Sequence, residues 1–200
     1  MKKILIPFLA FFMLLISAEE VSAQRKKKTT ETSSDKVSLD AFKFRNVGPA
    51  FLSGRISDIA MHPENNSLWY VATASSGVWK TENAGTTWQS IFEGQGTFAA
   101  GSVTIDPNNP STVWVGSGEN VGGRHIAFGD GVYRSTDGGK SWNNMGLPNS
   151  EHISKIIVHP DNAEVVWVAA QGPLWSSGGD RGVYKTTDGG KNWKKVLGDN

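Results

Sequence analysis

The chain has 200 residues, and its 20 Lys and Arg against 19 Asp and Glu give a formal net charge of +1. A nucleic-acid-binding protein would carry a basic face or stripe, so this balance argues against a nucleic-acid partner. The sequence contains no cysteine, which excludes disulfide bonds.

The first 23 residues have the pattern of a secretory signal peptide. Lys2 and Lys3 precede an apolar run from Ile4 to Ile16, and small residues suitable for cleavage occupy positions 21–23. The apolar run is shorter than the roughly 20 residues that a membrane-spanning helix needs. The sequence therefore predicts a secreted or periplasmic protein with a signal peptide at 1–23 and no transmembrane segment after cleavage.

Residues 24–39 are polar and basic and show no apolar period. Such a composition cannot bury enough apolar surface to fold, so we predict a disordered leader. The folded part of the chain is then expected to run from residue 40 to residue 200.

Three repeats of four short strands follow, and none of them shows a helical period. Each contains an aromatic strand, LWYVAT from Leu68, VWVGSG from Val113 and VWVAAQ from Val166, and then a third strand of the GVWKT type. Four short antiparallel strands in a repeat of 40 to 50 residues are typical of a β-propeller blade. The fold class predicted is all-β, a β-propeller with three four-stranded blades at about 55–92, 101–145 and 153–197.

A closed propeller usually has about four to eight blades, so three blades predict an incomplete ring. We expect further blades from C-terminal sequence beyond residue 200, which would make this chain an N-terminal fragment. The alternative is that identical chains complete the ring.

An octet with one or two glycines and a final tryptophan recurs about every 50 residues. It reads TENAGTTW from Thr81, STDGGKSW from Ser135 and TTDGGKNW from Thr186. Asp or Asn can cap the amides of a tight hairpin, glycine accepts positive φ, and a preceding hydroxyl can brace the turn. The predicted structural residues are Asn83, Gly85, Trp88, Asp137, Gly139, Trp142, Asp188, Gly190 and Trp193.

These octets resemble the Asp-box, or BNR repeat, of sialidases, sortilin-type receptor domains and xyloglucanase-like hydrolases. The stretch from Asn46 to Thr81 is similar to secreted bacterial proteins described as sortilin-like or glycosyl-hydrolase-like. The resemblance covers roughly residues 40–197 and implies a propeller in which each Asp-box is a scaffold hairpin. A sialidase would carry an Arg-Ile-Pro motif, whereas Arg55 and Ile56 are followed here by Ser57.

The strand order predicts two faces with different loops. If the first strand of each blade runs downward, the Pro turns and the octets lie on the bottom face. The links from second to third strand then lie on the top face, together with the links between blades. The second-to-third links are long at Gly116–Gly131 and Gln171–Gly182. Long loops in a compact domain are often functional, so the top face is the predicted site.

Charged and aromatic residues of the predicted top face are the candidate site residues. The candidate catalytic residues are Glu119, Asp130 and Asp180, and the candidate ligand-binding residues are Arg55, Arg124, His125, Trp175 and Arg181. Trp175 has no counterpart in the other repeats and either stacks on a ligand or packs on its own loop. Trp69, Trp114 and Trp167 are expected to share one core position. No cofactor and no metal site is predicted.

Two classes of function follow from this face. The first is a secreted binding module that recognises an extracellular or periplasmic protein, peptide or glycan. The second is an extracytoplasmic glycoside hydrolase, which needs two carboxylates about 5–5.5 Å apart for retention or about 6.5–9.5 Å apart for inversion. A structural propeller that serves as an assembly platform is a third alternative.

Overall fold

A computed structural model of the protein describes residues 54–120 and 126–198. The predicted signal peptide, the predicted leader, and the candidates Arg124 and His125 lie outside these residues. The described chain forms three four-stranded antiparallel sheets and contains no helix. The ring of blades is not closed. The predicted fold class, an all-β incomplete propeller, is confirmed.

Each blade is one sheet whose strands follow the order of the sequence. Blade one contains β1 (Ile56–Met61), β2 (Trp69–Thr73), β3 (Gly77–Thr81) and β4 (Gln89–Ser90). Blade two contains β5 (Ala100–Ile105), β6 (Val113–Ser117), β7 (Val132–Ser135) and β8 (Asn143–Asn144). Blade three contains β9 (Ile153–His159), β10 (Asn162–Ala170), β11 (Gly182–Thr186) and β12 (Lys194–Leu197).

The strand register corrects one prediction about the tryptophans. Trp114 pairs with Arg134 and Trp167 pairs with Lys185, in each case the residue one position before the Ser or Thr that opens the hairpin. At the same position of blade one Tyr70 pairs with Lys80, while Trp69 pairs with Thr81. The predicted equivalence of Trp69 with Trp114 and Trp167 is therefore wrong by one residue. A one-residue shift in a strand turns a side chain to the opposite face of the sheet.

The hydrophobic cores lie between neighbouring blades. Tyr70 and Val78 of blade one pack with Val103 and Val115 of blade two. Trp114 of blade two belongs to a second cluster, formed with apolar residues of β9 and β10 in blade three. Because a single twisted sheet cannot bury its own apolar faces, each blade depends on its neighbour for its core.

A polar contact also joins the innermost strands of the three blades. The Asp58 carboxylate in β1 accepts hydrogen bonds from the Ser102 hydroxyl in β5, at 3.0 Å, and from the Lys155 ammonium in β9, at 3.1 Å. One carboxylate thus links three sheets whose sequences lie far apart.

Hydrogen bonds distinguish the two faces of the propeller. On the bottom face, Gly138 N donates to Ser111 O at 2.8 Å, just before β6, and Gly189 N donates to Glu164 O at 3.0 Å, near the start of β10. Each of these two hairpins thus contacts the beginning of the second strand of its own blade. On the top face, Gly118 N donates to Ala99 O at 2.9 Å, which joins a second-to-third link to the interblade link before it. The long loops and the hairpins therefore lie on opposite faces.

The hairpins that begin at Thr81, Ser135 and Thr186, here called the glycine hairpins, have the expected internal bonds. Ser135 Oγ donates to the Asp137 carboxylate at 2.7 Å and accepts from Gly139 N at 2.8 Å. Asp137 also accepts from the amides of Lys140 and Ser141. Thr186 and Asp188 repeat the pattern, and Asn83 replaces the carboxylate in blade one with its amide oxygen. These bonds explain why small hydroxyl, Asp or Asn, and glycine residues recur.

Candidate functional site

The top face carries the three most exposed aromatic rings of the described residues. Phe98 lies in the link between blades one and two and is 63% exposed, and Phe128 lies in the long loop of blade two and is 59% exposed. Trp175, in the long loop of blade three, is 74% exposed. Most of its side chain is therefore open to solvent, which favours stacking on a ligand over packing on its own loop.

A hydrogen bond joins the segments that carry Phe98 and Phe128. Thr97 Oγ1 donates to Phe128 O at 2.8 Å, so the segment before Phe98 touches the long loop of blade two. A cleft of about 310 Å³ lies beside Phe98 and includes Phe92 and Glu93 in its walls. Exposed aromatic rings beside polar groups are the usual means of binding an amphipathic ligand.

Glu119 is the candidate carboxylate that differs most from the others. It lies two residues after the end of β6, it is 2% exposed, and it forms an ion pair with Arg55, the residue before β1. The Arg55 side chain is 61% exposed. The structure thus brings together two predicted site residues from different blades, with the carboxylate buried and the guanidinium facing solvent. Removal of the arginine would leave a buried charge without its partner.

Asp130 is held by its own blade. Its carboxylate accepts a hydrogen bond of 2.7 Å from the Tyr133 hydroxyl and another of 3.3 Å from Ser117 Oγ. Burial raises the pKa of Tyr133, and the bond to Asp130 raises it further. Asp130 therefore fixes the end of the long loop of blade two.

Asp180 and Arg181 brace the long loop of blade three. The Asp180 carboxylate accepts from Asn149 N at 2.9 Å, and Asp180 N donates to Asn149 O at 3.0 Å. The Arg181 guanidinium donates to the carbonyl oxygens of Pro173 and Ser176 on either side of Trp175. Arg181 thus holds the Trp175 loop, and Asp180 joins the end of that loop to Asn149 in the link between blades two and three.

The site candidates drawn from the sequence include neither Phe98 nor Phe128, and they omit His152 although the strand order places it on the top face. His152 is fully buried, and its ring lies 5.5 Å from the Phe128 ring, centroid to centroid. Burial lowers the pKa of His152. The signal that could have found the two phenylalanines is the one that singled out Trp175, an aromatic residue in a link without a counterpart in the other repeats.

The described residues lack both a metal-binding cluster and a membrane-spanning helix. No group of three or more His, Asp or Glu side chains there is placed to hold a metal ion. Within the same residues, no helix is long and apolar enough to cross a membrane.

Comparison with known proteins identifies relatives that carry this fold. No family model matches the chain. The sequence is 33% identical to a probable oligoxyloglucan-reducing end-specific xyloglucanase of Neosartorya fischeri, over 79% of this chain and 25% of that protein. It is 25% identical to a xyloglucanase of Hypocrea jecorina, over 78% of this chain and 19% of that protein. The chain thus spans a quarter or less of the length of these two relatives.

Solved structures give the same picture of the fold. The GH74 enzyme of Niastella koreensis superposes with a TM-score of 0.53 and 26% identity, over 70% of this chain and 21% of that one. An ancestral GH74 enzyme superposes with a TM-score of 0.55 and 22% identity, over 73% of this chain and 19% of that one. These proteins are β-propellers, so the described residues are three blades of a propeller similar to those of glycoside hydrolases.

Proposed function

We propose that the top face of this propeller binds a glycan, with Phe98, Phe128 and Trp175 as stacking surfaces. The observation that carries the proposal is the exposure of these three rings on the face that holds the long loops. Sugar rings have apolar faces that stack on aromatic side chains and hydroxyl groups that need polar partners. The exposed Arg55 guanidinium supplies donors on the same face.

The relatives suggest the class of glycan. Since the similar curated proteins are xyloglucanases, we propose a xyloglucan-type oligosaccharide as the ligand. We also assign the glycine hairpins to the Asp-box type, because Asp137 and Asp188 both cap a turn whose closing tryptophan packs on the preceding blade. A polysaccharide ligand fits a secreted or periplasmic location, as the predicted signal peptide implies.

Isothermal titration of the purified chain with xyloglucan oligosaccharides tests the proposal. We expect Trp175→Ala to weaken binding by about tenfold, the value of one stacked aromatic ring. Met61→Ala is the matched control, because Met61 is also an exposed apolar residue, at 61%, but ends β1 on the bottom face. Equal affinities for wild type and Trp175→Ala would overturn the stacking role. Binding of a peptide in preference to any oligosaccharide would favour a sortilin-like function.

Glycoside hydrolysis is the second candidate function, favoured by the buried Glu119 and by the named activity of the relatives. A hydrolase needs a second carboxylate at catalytic distance, and Asp130 and Asp180 are both engaged in hydrogen bonds within loops. Binding therefore fits the described residues better than catalysis. Release of reducing sugar from xyloglucan that disappears in Glu119→Gln, with the melting temperature retained, would reverse this order.

A further inference from the structure

His152 is a buried histidine that no hydrogen bond explains. It precedes β9 in the link between blades two and three, and its exposure is 0%. Neither ring nitrogen has a hydrogen-bond partner among the described residues. Buried polar atoms normally find a hydrogen-bond partner. The two ring nitrogens of His152 lack one, so the burial of this imidazole lowers the stability of the folded chain.

The segment that covers His152 carries one of the proposed stacking rings. The Phe128 ring contacts the imidazole at 5.5 Å between centroids, with the two planes inclined by 49°. Next to these rings, Gly129 N donates to Glu151 O at 2.7 Å. The position of Phe128 on the top face thus depends on the link that contains His152.

We propose that His152 is a positioning residue that holds Phe128 and the segment 126–131 in place only while its imidazole is neutral, so that acidification loosens this part of the top face. The consequence for ligand binding rests on the proposed function. The loosening itself does not, because it concerns only contacts within the chain.

The charges around His152 do not compensate a proton on the ring. Glu151 is the nearest carboxylate, 3.9 Å from Nε2. Asp130, on the covering segment, is engaged with Tyr133, and Asp180, in the adjacent long loop, is engaged with Asn149. Burial accordingly outweighs the attraction of Glu151 and lowers the pKa of His152 from its ordinary value of 6.5.

The direction of the pH effect follows from this lowered pKa. At pH values between the pKa of His152 in the folded chain and 6.5, the open or unfolded chain binds a proton that the closed chain does not. The closed arrangement is therefore favoured above pH 6.5 and loses stability as the pH falls below it. Within that window, each pH unit changes the opening equilibrium by up to about tenfold.

Hydrogen–deuterium exchange of the wild-type chain at pH 7.5, 6.5 and 5.5 tests the proposal. After correction for intrinsic exchange rates, we expect the protection of residues 126–131 to fall by up to about tenfold between pH 6.5 and 5.5. His152→Phe keeps an aromatic ring but cannot be protonated, and it should remove this change. Protection that is constant with pH, or that falls equally in His152→Phe, would overturn the proposal.

A control variant and an NMR titration distinguish the effect of His152 from general effects of pH and from misfolding of a variant. His159→Gln is the control variant, because His159 lies at the bottom end of β9 and its Nδ1 accepts from Asp161 N, and it should leave the pH dependence of 126–131 unchanged. If His152→Phe does not fold, an NMR titration of the wild type decides, since a His152 midpoint at or above 6.5 contradicts the proposal. Absence of glycan binding at pH 7.5, with the exchange result as expected, would refute the proposed function alone.

Discussion

The indole nitrogen of Trp142 donates a hydrogen bond of 2.7 Å to the main-chain carbonyl of Ile91, a residue of the preceding blade. Trp193 repeats the contact at 2.7 Å with Met145 O. The Trp142 ring also meets the Phe92 ring edge to face, 5.3 Å between centroids. The tryptophan that closes each of these two hairpins therefore fastens its blade to the one before it.

Trp142→Ala should destabilise the chain by about 3 kcal/mol, at the low end for truncation of a large aromatic residue because the ring is only partly buried. Trp142→Phe keeps most of the packing but loses the hydrogen bond, and that loss should destabilise the chain by about 1 kcal/mol. The small cavity left by the shorter ring adds to this loss. Urea unfolding measures both. Equal losses in the two variants would show that the bond to Ile91 dominates the contact.

The caps of the glycine hairpins should make stability depend on acid pH. Hydrogen bonds from Asn192 and Thr186 lower the pKa of Asp188 from 3.8 to about 2. The bonded carboxylate stabilises the fold above the unfolded pKa, and this contribution is lost as the pH falls from 3.8 toward 2. Asp188→Asn should flatten that part of the melting-temperature curve.

Asp188→Ala is the matched comparison for the same position. Asn83 accepts the equivalent bond from Thr87 N at 2.8 Å in blade one, so Asn can cap the turn and Ala cannot. We expect Asp188→Ala to lower the melting temperature at pH 7 more than Asp188→Asn. The reverse order would mean that the charge, and not the hydrogen-bond geometry, is what the turn requires.

Alanine substitutions at Gly190 and Gly85 distinguish the cost of backbone strain from the cost of close contact between blades. Both have positive φ, +92° and +87°, but a Cβ on Gly190 would lie 2.9 Å from the buried Trp114 ring, whereas one on Gly85 would meet nothing closer than 3.6 Å. Gly85→Ala should cost about 1–2 kcal/mol from the left-handed backbone alone. Gly190→Ala should cost a further 1–3 kcal/mol, roughly, from overpacking. Similar losses in thermal unfolding would contradict the close approach at Trp114.

The ion pair between Arg55 and Glu119 should respond asymmetrically to substitution. Arg55→Ala leaves a buried carboxylate without its partner and should cost about 1–3 kcal/mol. Glu119→Gln leaves an arginine that is already 61% exposed and can be hydrated, so its cost should be smaller. Denaturant midpoints for the two single variants and the double variant form the required cycle. A larger loss for Glu119→Gln than for Arg55→Ala would argue against this pairing.

One face of blade three packs against no other described blade, and it differs from the two interfaces between neighbouring blades. Leu197 occupies the position of Phe92, four residues after the hairpin tryptophan, yet it is 69% exposed where Phe92 is 2% exposed. Trp167, the counterpart of the fully buried Trp114, is only partly buried: the Lys185 ammonium lies 5.0 Å from its ring centroid and the His159 ring stacks on it at 6.1 Å. This face of blade three therefore leaves apolar surface exposed.

Local sequence determined much of the architecture. The repeat period, the alternating strands, and the Asp-Gly-Gly hairpins braced by Ser135 and Thr186 all follow from interactions between residues a few positions apart. The division into a bottom face with hairpins and a top face with long loops follows in turn, because antiparallel strand order fixes which links share an edge.

Only the tertiary structure decided the rest. The choice of Tyr70 over Trp69 as the counterpart of Trp114 depends on a one-residue register that composition does not resolve. The pairing of Arg55 with Glu119, the engagement of Asp130 within its loop, and the burial of His152 beneath Phe128 depend on how separate blades pack. Such contacts join residues far apart in the chain, and a local pattern of residue types carries no record of them.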